Sequence, residues 1–335
     1  MRYVDAAGVH LSAVGLGTWQ FGSGEWGYGS EYAETTAPAI VQRSLDLGVN
    51  LVDSAEIYGM GRSERILGRA LAGRRADAFV ATKLFPLLPI DPVVERRARG
   101  SARRLGVDVI DLYQLHWPNP VVPVGLTMTA LAHLQTDGLV ANVGVSNYSL
   151  ARWREAEAGL GGPVLSNQVR YSLVHRDIEA DLLPWAQAND RVVIAYSPLG
   201  QGLLSGRYDV DHRPGGMRGG TSTFLPENLE RAGPLLAVLR QVAHSHQASC
   251  AQVALAWLLR RPNVVVIPGA SSVAQAESNA AAADLELSES EDDALTAASD
   301  AYRPTTGLSA VGPLVRMRAD QLAARVRRAV EGTRS

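Results

Sequence analysis

The chain has 335 residues, 46% hydrophobic and 20% charged, with a formal net charge of −2. That is the balance of an ordinary globular protein, and without a large basic or acidic block it argues against nucleic-acid or membrane-surface binding. Length alone allows two domains, but strand–helix barrels commonly exceed about 250 residues as one unit, and no internal repeat or low-complexity linker divides this chain, so a single domain over 1–335 is expected.

Residues 1–5 lack the apolar stretch of a signal peptide and no run is long enough to span a bilayer, which points to a cytoplasmic protein. Residues 2–12, around Ala6-Ala7-Gly8, read as a β-hairpin that caps the floor of a barrel. Eight short apolar runs come next, at 14–18, 50–54, 79–83, 111–116, 141–147, 164–169, 192–197 and 264–269. Most are nearly continuous in Val, Ile, Leu and Ala, as strands covered on both faces should be. Helical periodicity fills the intervals at 36–47, 63–72, 92–105, 126–136, 150–158, 177–189 and 249–260. Eight such units imply a parallel sheet that closes into a (β/α)8 TIM barrel. Three stretches exceed what a minimal barrel needs: 20–32, 200–226 and the tail from 301, whose Arg316, Arg318, Arg325, Arg327 and Arg328 read as a solvated face. Long loops in this architecture crowd the face where strands end and helices begin. The single cysteine, Cys250, excludes an internal disulfide and reads as a small core residue of a helix.

Of 32 Lys and Arg residues only Lys83 is lysine, and it ends the third apolar run. Arginine stays charged under ordinary conditions, whereas an ammonium is tuned by its surroundings or acts as a nucleophile. Asp53 ends the second run, with Tyr58 five residues later; Lys83 follows Asp53 by 30 positions and His116 follows Lys83 by 33. Each interval is one strand–helix unit, so these side chains arrive at neighbouring strand ends on one rim. A phenol with a pKa near 10 donates a proton poorly unless a cation lowers that value. Lys83 supplies such a cation, Asp53 keeps it charged and oriented, and His116 can donate to a substrate oxygen. Such a set would protonate a carbonyl oxygen as hydride reaches carbon. The segment Gly22-Ser-Gly24-Glu-Trp-Gly27 matches G-x-G-x-x-G, but no helix opens directly after it and it reads as loop. No metal-ligand spacing is present, so no metal is expected. His244 and His246, two apart, do not share a helix face.

The ordered motifs Gly15-Leu-Gly-Thr18-Trp19, Asp53-Ser-Ala-Glu-Ile-Tyr58-Gly, Ala81-Thr-Lys83 and Asp111-Leu-Tyr-Gln-Leu-His116-Trp117 continue with Gly144-Val-Ser146-Asn147, Ser166-Asn167-Gln168, Tyr196-Ser197-Pro198-Leu199-Gly200 and Ile267-Pro268-Gly269. Over almost its whole length the chain resembles an aldo-keto reductase of the potassium-channel-β-subunit-like and bacterial branch. The resemblance implies NADPH-dependent reduction of an aldehyde or ketone, with Tyr58 as general acid, Lys83 and Asp53 as its tuning pair and His116 orienting the carbonyl. It implies NADPH extended across the barrel mouth. Ser146, Asn147 and Gln168 would hold the carboxamide and Tyr196 would stack on the nicotinamide. Ser197, Leu199 and Gln201 would line the pyrophosphate path under Arg207, and Gly269, Ser271, Gln275 and Asn279 would hold the adenosine end. Thr18, Trp19, Asp53, Pro198 and Gly200 complete the implied cofactor contacts. Where many relatives carry a basic residue this chain has Gly269 or Gln275, and where Glu often precedes the final Asn it has Ser278; both weaken the case for NADPH over NADH without reversing it. Trp26, Tyr28 and Trp117 read as an apolar substrate wall. Two other functions fit parts of this pattern: a Schiff-base lyase using Lys83, and a redox-sensing module that binds NADPH but turns over slowly.

Overall fold

The computed structural model describes residues 1–22, 29 and 31–317. They form two compact units, one of Met1–Pro198 with Gln252–Leu287, the other of Leu199–Ala251 resuming at Ser288. Ten strands are β1 Tyr3–Ala6, β2 Val9–Ser12, β3 Leu16–Gly17, β4 Leu51–Asp53, β5 Phe79–Leu84, β6 Ile110–Leu115, β7 Val140–Ser146, β8 Ser166–Arg170, β9 Val192–Tyr196 and β10 Val264–Val266. The main helices are α1 Ala37–Asp46, α2 Arg62–Ala70, α3 Asp91–Leu105, α4 Val124–Thr136, α5 Leu150–Leu160, α6 Leu182–Ala188, α7 Pro226–Ser245, α8 Cys250–Leu259, α9 Val273–Ala281 and α10 Glu289–Ala301.

In the first unit β3 to β10 pair in chain order, all parallel. Parallel bridges Val14↔Val266 and Gly17↔Gly269 join the first of them to the last and close the barrel. Strand alternation sorts the side chains into two cores. Val52 and Val80 point outward into a layer with Ile40, Val41, Leu45, Ile66, Leu67 and Leu105 from the helices. Leu51, Ala81, Leu112, Ile194 and Val265 point inward, and Ala6 and Leu11 of the β1–β2 hairpin pack on them as a plug. The expected hairpin thus seals the barrel floor. Two positions further along each strand the inward residues turn polar: Asp53, Lys83, Gln114 and Gln168, all buried. Side chains two apart share a face, so this polar layer lies directly above the apolar one, toward the strand ends.

Local sequence ends the helices where a barrel needs them ended. α3 opens with Pro at its first turn and stops at Gly106 in the left-handed region, φ 66°. α5 opens on Ser149, whose side chain accepts from Arg152 N, and stops at Gly161.

The second unit is built on α7 and α10. Ser288 and Glu291 form a capping box at the start of α10, and Glu291 also meets His246 Nε2 at 2.9 Å. Asn228, buried in α7, bonds to Ser222 O at 2.7 Å and to Thr305 O at 2.9 Å, pinning two connecting segments. The long stretch after residue 199 is a series of short turns, Gly200–Ser205, Gly216–Gly219 and Ser222–Phe224.

Candidate active site

Lys83, next to last in β5, has its ammonium fully buried. Its Nζ lies 2.5 Å from Asp53 Oδ2, 2.8 Å from the Ser54 carbonyl oxygen and 3.3 Å from the Tyr58 hydroxyl. Three acceptors saturate the three donors of an ammonium. Burial penalises the charge, but Asp53 and Tyr58 outweigh it and hold the Lys83 pKa above its ordinary value. The lysine is therefore protonated at neutral pH and has no free lone pair for a carbonyl. The second oxygen of Asp53 accepts from Gln168 Nε2 at 2.8 Å and Gln114 Nε2 at 3.2 Å. Gln114 was not anticipated from sequence; its signal is its place two before His116, on the same strand face.

Tyr58 stands in the β4–α2 loop. Its pKa is raised: burial is the larger effect, and the opposing influence of Lys83 does not cancel it. This corrects the expectation of an acidified phenol. At rest the hydroxyl is firmly protonated, and the ammonium acts only on charge that develops when the proton leaves. The loop is clamped from below. Glu56 accepts from Phe85 N at 2.6 Å and pairs with Arg97 at 2.5 Å, while just past the loop, in the first turn of α2, the wholly buried Glu64 accepts from Thr82 Oγ1 at 2.7 Å and Arg104 Nε at 2.6 Å. It is also clamped from the side. Gly59 is left-handed at φ 56°, and a Cβ on Gly22 would stand 2.5 Å from the Tyr58 carbonyl carbon.

His116 meets the Tyr58 ring edge-on at 5.8 Å and stacks on Trp117 at 4.0 Å. Burial, helped by Lys83, lowers its pKa to about 3, so the imidazole is neutral. Its Nδ1 is buried and makes no hydrogen bond. Trp117 is 43% exposed and touches Phe85, as a rim aromatic would; Trp26 and Tyr28 lie outside the described residues.

Around this cluster most of the remaining predicted positions of the first unit lie at or just beyond strand ends, while Gln275 and Asn279 lie in α9. Asn147, left-handed at φ 61°, donates to the His116 carbonyl at 3.1 Å and accepts from the Tyr196 hydroxyl at 2.9 Å. Ser146 Oγ donates to Gln168 O at 2.8 Å. Tyr196 is half-buried at the end of β9, and Ser197 follows in the left-handed region at φ 50°. Pro198 ends this part of the unit. After β10, Asn279 Nδ2 reaches Gly269 O at 3.3 Å, and Gln275 Oε1 accepts from both the amide and the hydroxyl of Ser271, at 2.8 and 2.9 Å. Thr18 is fully buried, its hydroxyl shared between the Asp53 carbonyl and Ser63, each within 2.9 Å; it supports the strand end that carries Asp53. Trp19 is exposed beside it. Leu199, Gly200, Gln201 and Arg207 belong to the second unit. There Gln201 adopts φ 60° and accepts from Thr221 and Thr223, both at 3.3 Å. Cys250 is half-buried at the start of α8.

Comparison with known proteins gives one answer. The sequence model of the Aldo/keto reductase family matches residues 13–300. An uncharacterised oxidoreductase of Mycobacterium tuberculosis is 55% identical over 307 residues, 91% of this chain and 95% of the relative. The methylglyoxal reductase YeaE of Escherichia coli is 35% identical over 304 residues, 90% of this chain and 96% of that one. The crystal structure of an aldo-keto reductase from Klebsiella pneumoniae in complex with NADPH matches with a TM-score of 0.74 at 29% identity, over 91% of this chain and 96% of that one.

Proposed function

We propose that this chain, which belongs to the aldo/keto reductase family, reduces an aldehyde or ketone to its alcohol with NADPH, Tyr58 giving the proton. The observation that carries this reading is the Lys83 ammonium, held by Asp53 at 2.5 Å and facing the Tyr58 hydroxyl at 3.3 Å. As the substrate oxygen takes the proton, negative charge appears on the phenol oxygen beside a fixed, buried cation. Charge stabilisation of this kind favours the transition state over the resting state. Asp53 keeps the ammonium protonated, and Gln114 and Gln168 hold Asp53 in place.

His116 supplies the second contact to the substrate oxygen. A neutral imidazole carries one N–H, and a buried N–H without a partner costs more than a bare lone pair. The orphaned Nδ1 therefore assigns the proton to Nε2, which donates toward the carbonyl. A neutral donor orients that oxygen without adding a second cation beside Lys83.

The residues present suit a nicotinamide dinucleotide. Tyr196 offers a half-buried ring anchored through its hydroxyl on Asn147, for stacking, and Ser146, Asn147 and Gln168 offer amide and hydroxyl groups for the carboxamide. Gly269, Ser271, Gln275 and Asn279 would hold the adenosine end. Bound NADPH supplies the hydride to the carbonyl carbon. Residues 268–279 contain no Lys or Arg, so discrimination by this segment rests on hydroxyl and amide donors, and NADPH is expected to lead NADH by about tenfold or less. A Schiff-base role for Lys83 has the opposite requirement, an unprotonated amine.

The test is fluorescence titration with NADPH and NADH, followed by cofactor oxidation with a carbonyl panel that begins with methylglyoxal, the substrate in the name of one relative. Turnover that needs cofactor supports the proposal. Tight NADPH binding with no turnover across the panel would favour the redox-sensing module.

A further inference from the structure

Arg170 is the last residue of β8 and stands in register with Tyr196 of β9. It lies two positions beyond Gln168, on the same strand face, and Gln168 reaches inward to Asp53. Tyr196 likewise lies two beyond Ile194, whose side chain belongs to the barrel interior. Arg170 and Tyr196 are thus neighbours in the next layer above Asp53 and Lys83, at the mouth. Burial raises the Tyr196 pKa and the charge of Arg170 only partly opposes it, while at His175 in the following loop burial lowers the pKa and Arg170 adds to that effect.

Arg170 is half-buried, yet no acceptor among the described residues takes a hydrogen bond or ion pair from its guanidinium. Arg75, Arg97, Arg104, Arg176 and Arg191 are buried to a similar degree, and each closes on a carboxylate at 2.5 or 2.6 Å. Withdrawing a guanidinium from water with its five donors unused costs free energy that a structural residue recovers from a neighbouring carboxylate. Among the described residues no such carboxylate faces Arg170, and the mouth of the barrel is where a substrate enters.

We propose that Arg170 is an anion-binding residue of the substrate pocket, pairing with a carboxylate on the aldehyde or ketone while Tyr58 and His116 take the carbonyl. The inference rests on the reductase reading and adds a substrate class to it: carbonyl compounds that carry a carboxylate. The planar fork of arginine suits bidentate pairing with that group.

The experiment measures binding to the full chain saturated with NADP+. Calorimetry compares 4-carboxybenzyl alcohol with 4-nitrobenzyl alcohol, which has similar shape and no charge. The expected result is that the wild type favours the carboxylate, that R170Q loses about tenfold of that preference, and that R170K recovers part of it. Absence of a preference, or the same preference in R170Q, overturns the proposal. So does a loss confined to NADPH affinity, which would assign Arg170 to a cofactor phosphate. Thermal melting of R170Q confirms that it is folded. Reduction of the two matching aldehydes is followed in parallel. Carboxylate-selective binding without turnover would sink the reductase reading and leave the subsite; turnover without selectivity would sink the subsite and leave the reductase.

Discussion

Lys83 Nζ and Asp53 Oδ2 meet at 2.5 Å with the two side chains 1% and 2% exposed. A pair buried this deeply is a poor source of stability, because the desolvation of two charges offsets most of their attraction. Removing one partner is a different matter, since it strands the other. Lys83→Met and Asp53→Asn should each cost about 3–5 kcal/mol, and the double variant less than their sum. Urea unfolding of the three variants measures this. All three should be inactive, and so should Lys83→Arg: a guanidinium is too large to take the place of Nζ among Asp53, Ser54 and Tyr58. Activity in Lys83→Arg would mean that any cation suffices there.

Tyr58→Phe removes one oxygen and leaves the ring against His116. General acid help is worth about 10²–10⁴ in rate, so kcat should fall by that factor, while NADPH titrates as before. Wild-type turnover in this variant would remove Tyr58 from the proton-donor role. A large loss of NADPH affinity would mean that the hydroxyl serves binding instead.

The barrel was legible because its strands are short and apolar, and because Asp53, Lys83 and His116 lie at, or one residue from, the ends of three of them. Sequence spacing also implied the meeting of Lys83 with Tyr58. What it did not yield has physical reasons. α7 begins on a proline and contains a second, Pro234, which breaks the periodicity by which helices are recognised. α9 and α10 are made mostly of small and polar residues, with one large apolar side chain each, Val273 and Leu295. The net direction of the Tyr58 pKa depends on how deeply the ring is buried, which no motif encodes. Glu56 and Glu64 look like loop and helix-surface carboxylates until α3 is placed beside them with Arg97 and Arg104.

His116 ties stability to pH in a defined direction. Unfolded, an imidazole titrates near 6.5; in this site it titrates at about 3. Between those values the unfolded chain holds the additional proton. The contribution of His116 is therefore fully present above about pH 6.5 and declines as pH falls toward 3, with a limiting slope of about 1.4 kcal/mol per unit. Comparing the pH dependence of unfolding for wild type and His116→Gln should show a shallower acid decline in the variant. The wild-type rate should also show no limb from His116 between about pH 5 and 8. A limb in that range that vanishes in His116→Gln would mean the imidazole does titrate there, and the assignment of a neutral Nε2–H donor would fail.

The position of Tyr58 depends on a contact far from it in sequence. Gly22 ends a single helical turn, Trp19–Gly22, and its missing side chain lets the Tyr58–Gly59 backbone approach. A methyl group added at Gly22 would lie 2.5 Å from the Tyr58 carbonyl carbon and 2.7 Å from Gly59 N, both main-chain atoms that no rotamer change can move. Either the turn or the Tyr58 loop has to shift. The loop is tied to the barrel through Glu56 and Glu64, so a shift there would tilt the phenol out of line with Lys83. Displacement of a catalytic group by about 1 Å can cost on the order of 10² in rate. Gly22→Ala should therefore lose kcat by about tenfold or more while melting close to wild type, and Gly59→Ala, which also forces an L residue to φ 56°, should lose stability as well. The measurement is kcat beside a melting curve for each variant. If Gly22→Ala keeps full kcat, the turn yields instead of the loop, and the approach of Gly22 does not set where Tyr58 stands.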